Sequence, residues 1–151
     1  MLEKLVRVID AGFRVGVLET DDVDRVLSAF KRLSLSTGRA TYAWSRTGGL
    51  YRVGSDRAFI PSTRTLAEAL GYVAASRHYG VYLFRDVGSE LERPSVQRAV
   101  TKVMDREDGI RRVVLFLGDD LSIPEPLSGR VARIRHRPGR SDGASGSSAA
   151  S

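Results

Sequence analysis

Apolar positions along the chain alternate between two spacings. Leu2, Leu5, Val6 and Ile9 recur at helical intervals and stop at Gly12, whereas residues 15–18 run apolar without a break before an acidic turn. Val23, Val26, Leu27, Phe30 and Leu33 mark one face of a second helix, with Gly38 beyond its end. Residues 42–44 read as a second strand, closed by the turn Thr47-Gly48-Gly49, and residues 50–53 are expected to pair back as a short hairpin arm. Ser62 or Thr63 is the expected cap of a helix carrying Leu66, Leu70, Val73 and Ala74. Residues 81–84 form a third strand after Gly80. Pro94 and Ser95 then open a helix carrying Val96, Ala99, Val100, Val103 and Met104. Residues 113–117 are apolar on both faces, and residues 131–134 supply a weaker fifth strand.

Strands separated by helices of this length imply right-handed βαβ crossovers. The expected architecture is therefore a three-layer α/β domain around a mostly parallel, five-stranded open sheet. It should occupy residues 1–138 of the 151, followed at 139–151 by a disordered, flexible tail of Gly, Ser and Ala. An apolar content of 42% supports one core of ordinary size. The longest purely apolar runs, such as residues 113–117, fall far short of a membrane span, and charged residues interrupt the first four positions where a signal sequence would begin. With no cysteine there is no disulfide framework, thiolate nucleophile or Cys-type metal site. The cytoplasm is the expected location, with no membrane partner.

Charge changes the picture at one end. The net +6 is uneven: residues 1–129 hold 19 basic and 17 acidic side chains, while Arg130, Arg133, Arg135, Arg137 and Arg140 stand together without an acid. Such an arm suits nucleic-acid phosphates, with strong salt dependence, or a protein-docking role. The loop Ser45-Arg46-Thr47-Gly48-Gly49, preceded by Trp44, is a second candidate edge, where Trp44 and Arg46 offer stacking and a guanidinium to a base or peptide.

Ligands of open α/β sheets sit at the carboxyl ends of the strands. There the first strand leads into Glu19-Thr20-Asp21-Asp22, with Asp24 behind. A phosphate-binding version would place a glycine loop ending in lysine before the helix. The acidic turn would repel a phosphate, and neither G-x-x-x-x-G-K-[ST] nor G-x-G-x-x-G occurs in the chain. Asp86 closes the third strand. Convergence of Asp21, Asp22 and Asp86 would give a receiver-like phosphoacceptor holding a metal, although the lysine such a site needs is missing from the last strand. His78 and His136 have no nucleophile elbow to pair with, so no catalytic residue and no cofactor is expected.

Several segments carry a resemblance in order and spacing: Leu2-Glu3-Lys4-Leu5, Val17-Leu18-Glu19-Thr20-Asp21-Asp22, Tyr42-Ala43-Trp44-Ser45, Leu66-Ala67-Glu68-Ala69-Leu70, Val81-Tyr82-Leu83-Phe84-Arg85-Asp86, Val113-Val114-Leu115-Phe116-Leu117 and Ile123-Pro124-Glu125-Pro126-Leu127. Over about residues 2–138 the chain resembles the N-terminal, P-loop-lacking AAA-like region of a family of bacterial and chloroplast-encoded AAA ATPases. The resemblance implies a P-loop-NTPase-like sheet without a Walker A site, with Asp86 in the Walker-B-like place. It also implies a non-hydrolytic regulatory or adaptor domain whose protein partners include an ATPase subunit. Nucleic-acid binding through the arginine stretch and a degenerate receiver are the alternatives.

Overall fold

A computed structural model of the protein describes residues 2–54 and 58–135. The elements run in the order α1 (Leu2–Asp10), β1 (Val15–Glu19), α2 (Val23–Thr37), β2 (Thr41–Ser45), β3 (Gly49–Arg52), α3 (Leu66–Ala75), β4 (Gly80–Arg85), a 3-10 turn (Gly88–Glu92), α4 (Pro94–Asp105), β5 (Arg112–Gly118), α5 (Glu125–Ser128) and β6 (Ala132–Arg135). The sheet has the order β3-β2-β4-β5-β1-β6 and is parallel except for the β2–β3 hairpin. It holds six strands rather than five, because the hairpin arm pairs in full, from Tyr42 opposite Arg52 to Ser45 opposite Gly49.

Two apolar layers make it a three-layer structure. On one face Leu18, Val81, Leu83, Leu115 and Leu117 meet α1 and α2 through Leu5, Ile9, Val26, Phe30 and Leu33. On the other, Val17, Phe84 and Phe116 meet α3, α4 and Leu127 of α5. The strands β1, β4 and β5 are buried on both faces, so their apolar runs do not alternate. Register lines up one row across the whole sheet on the α3–α4 side: Leu50, Trp44, Phe84, Phe116, Val17 and Arg133. Its centre is aromatic, with Phe84 rings 6.0 Å from Trp44 and 5.7 Å from Phe116.

The hairpin is tied down by Thr63, which is not the helix cap expected of it. The Thr63 carbonyl accepts from the Trp44 indole at 3.0 Å, and its hydroxyl accepts from the Leu50 amide at 2.9 Å. The cap of α3 is Thr65, reciprocated by Glu68 in a capping box. Gly49, at φ 104°, brings the backbone so close to Thr63 that a β-carbon there would lie 2.5 Å from the threonine hydroxyl.

Candidate functional site

The chain leaves β1 over the α2 face towards β2 and leaves β5 over the opposite face, through α5, towards β6. Between the carboxyl ends of β1 and β5 the connections therefore diverge, and in open α/β sheets this is where a crevice for a ligand forms. Here the crevice is closed. The Thr20 amide donates to the Gly118 carbonyl at 3.0 Å, and the buried Thr20 hydroxyl accepts from the Asp22 amide at 3.0 Å. Asp22 caps α2 by accepting from the Arg25 amide at 3.1 Å. The helix end that would greet a phosphate already holds a carboxylate.

Glu19 completes the closure. It shares a face with Val15 and Val17 and is 7% exposed. Register places Arg133 and Arg135 of β6 beside it, and both donate to its carboxylate, Arg135 through Nε at 3.2 Å. Burial pushes the Glu19 carboxyl up. The hydrogen bonds and charges of Arg133 and Arg135 outweigh that effect and hold it below the ordinary value. Arg133 also reaches the Leu121 carbonyl, and Lys4 of α1 donates to the Arg135 carbonyl at 2.9 Å.

The rest of this rim is laced by ion pairs. Arg85 lies between Asp24, 2.8 Å away, and Asp86, 3.3 Å away. Arg46 spans from β2 to the Asp86 carbonyl and to Glu90 of the 3-10 turn, with its guanidinium 5.6 Å from the Trp44 ring centre. Among the described residues, two of the three non-glycine positions with positive φ, Asp86 and Asp120, follow strands at this same rim.

These positions revise the residue-level expectations. Trp44 is 2% exposed and belongs to the core row, so its ring is not a stacking platform. Arg130 pairs with Asp105 at 2.7 Å, and Arg133 and Arg135 are bound to Glu19. Arg137 and Arg140 lie outside the described residues, as do His136 and the tail from 139. Asp21, Asp22 and Asp86 do not come together, because β5 stands between β1 and β4 and Arg85 engages Asp86. Among the described residues no group of three His, Cys, Asp or Glu side chains is placed to hold a metal ion, and no helix is long and apolar enough to cross a membrane.

The Glu19 clamp escaped sequence reasoning, since its partners are 114 and 116 residues away. The one local signal was an acid in phase with two core valines.

A family model described as SpoVK-like AAA ATPase, N-terminal domain, matches residues 1–136. No curated protein and no solved structure matches the chain.

Proposed function

The chain belongs to the family of SpoVK-like AAA ATPase N-terminal domains, and from that premise we propose that it is a non-catalytic recognition domain that works in the cytoplasm by binding another protein, an ATPase subunit among the expected partners. The matched family is the N-terminal domain and not the ATPase module. One observation carries the non-catalytic part of the reading. The crevice that this topology offers to a nucleotide is shut by the Thr20–Gly118 hydrogen bond, and Asp22 caps the helix end behind it, so a triphosphate would meet a carboxylate where it needs amide donors.

The nucleic-acid reading receives less support. Three arginines of its basic stretch already face carboxylates, which leaves Arg137 and Arg140 to carry it. A metal-dependent phosphoacceptor would need Asp86 beside Asp21 and Asp22, and β5 lies between them.

Calorimetric titration with ATP and Mg²⁺, paired with thermal unfolding, tests the non-catalytic part. Neither binding heat nor a shift in melting temperature is expected, and saturable ATP binding overturns it. Tagged capture from the native host, with and without nuclease, tests the protein-binding part. A specific protein retained after nuclease is expected, whereas retention that vanishes with nuclease moves the function to nucleic acid.

A further inference from the structure

The stretch that leaves β5 crosses the end of β1. Two contacts of Leu121 fix its path. The Leu121 side chain folds back on Gly118, where a β-carbon would lie 3.2 Å from it. The Leu121 carbonyl accepts from Arg133 of β6, which lies on the far side of β1 from β5. Residues 119–123 therefore span three strand ends, from β5 over β1 towards β6. Glu19 ends β1 under this span and Thr20 follows it, and the two are 7% and 1% exposed.

The span is anchored firmly at its ends and lightly in its middle. At one end β5 pairs with both β1 and β4. At the other, Leu127 is buried, its amide donates to the Pro124 carbonyl at 2.9 Å, and Arg130 binds Asp105. Between these anchors, among the described residues, the Leu121 carbonyl is the only backbone group of residues 120–123 in a hydrogen bond, and both donors belong to the Arg133 guanidinium, at 3.4 and 3.3 Å. Leu121 and Ile123 add half-buried apolar contact with the α3–α4 core. Asp120 works against closure, since it takes φ 58°, a left-handed conformation that a residue other than glycine adopts at some cost.

We propose that residues 119–123 form a strap able to open over Glu19 and Thr20, and that Arg133 is the pin that holds it shut. One arginine serves because its fork is planar and rigid: Nη1 faces the Glu19 carboxylate while Nη1 and Nη2 together meet the Leu121 carbonyl. Its reach depends on the register that sets Arg133 beside Val17, so the docking of β6 on β1 governs access to the corner beneath the strap. The device is independent of which partner the domain binds.

Amide hydrogen exchange, read residue by residue by NMR on the intact chain, tests it. The reporter is the Thr20 amide, which donates to the Gly118 carbonyl under the strap. In Arg133→Gln it is expected to exchange about tenfold faster than in wild type, while amides in the middle of β1 and β5 keep their rates. Arg133→Lys, which keeps the charge without the fork, should fall between the two. Glu19→Gln removes the ion pair but leaves Arg133 on Leu121, so Thr20 should stay within about twofold of wild type. Thr20→Cys gives an independent reading in a chain without cysteine: its thiol should be labelled about tenfold faster once Arg133→Gln is added. An unchanged Thr20 rate in folded Arg133→Gln, or equal acceleration in Glu19→Gln, overturns the strap. Acceleration spread evenly through β1 and β5, or confined to β6, overturns it as well, the first being general loosening and the second fraying of the edge.

Discussion

The two sides of this sheet solve the problem of a polar boundary in opposite ways. At the carboxyl rim of β1, β4 and β6 three charged side chains are already bound: Glu19 to two arginines, Asp22 to a helix end, Arg85 to two aspartates. At the β2–β3 hairpin the reverse holds. The α3–α4 side is sealed by Trp44 and Leu50, while the α2 side keeps an open groove beside Lys31, which makes no ion pair among the described residues. The difference teaches that the place a fold usually reserves for chemistry is not where an individual member must use it. Once paired, these charges of the rim are structural.

The contrast can be broken in order of size. Trp44→Ala removes the largest side chain of the hairpin seal, and urea unfolding should read a loss of about 3–5 kcal/mol, little changed by salt. A loss below about 1 kcal/mol would mean that burial does not hold that edge. Gly49→Ala adds a β-carbon 2.5 Å from the Thr63 hydroxyl at a positive φ, and about 2 kcal/mol should be lost. Glu19→Gln tests the rim. Arg133 and Arg135 are 42% and 70% exposed at their side chains and recover water when released, so the expected cost is about 1–2 kcal/mol rather than that of a fully buried broken pair.

Acid sharpens the same test. The Glu19 carboxyl titrates below its ordinary value in the folded chain, so its contribution is present above the unfolded value of about 4.3 and is lost as pH falls through the lower folded value. Asp108 behaves likewise, because hydrogen bonds from the Arg112 guanidinium and the Ile110 amide hold it far below the usual range. Wild-type stability should therefore fall more steeply below about pH 4.3 than that of Glu19→Gln, and parallel curves would deny the clamp its role. Smallest of all, Lys31→Glu should unfold within about 0.5 kcal/mol of wild type, since this exposed lysine makes no ion pair among the described residues.

Much of this was legible in the residues. Strands such as 81–84 and 113–117 announce themselves because both faces are buried, and the left-handed cap at Gly38 and the positive-φ Gly12 stand where the periodicity of α2 and α1 stops. The α3 cap was readable too: Thr65 precedes Glu68 by three positions, a capping-box spacing that Ser62 and Thr63 lack. The residues at the rim and groove resisted for a different reason. Nothing local to Glu19 says that β6 will lie beside β1, and Arg133 and Arg135 look free until register brings them to it. Leu27 sits in the same periodic set as Val26 and Phe30 and packs against the same core, yet the hairpin, fixed only by long-range pairing, decides that it also walls a groove.

The parallel pairing of β1 with β6 also has a mechanical consequence. Four residue pairs, from Gly16–Ala132 to Glu19–Arg135, join the two strands, with the Glu19 ion pairs and the Lys4 tether at the end where β6 finishes. Tension applied to the chain beyond Arg135 and resisted by the body of the sheet would slide β6 along β1 and strain all four pairs together. It would not peel them one at a time, as a hairpin opens. β6 is thereby a stiff handle, suited to passing a pull or a twist into the sheet without being unravelled by it.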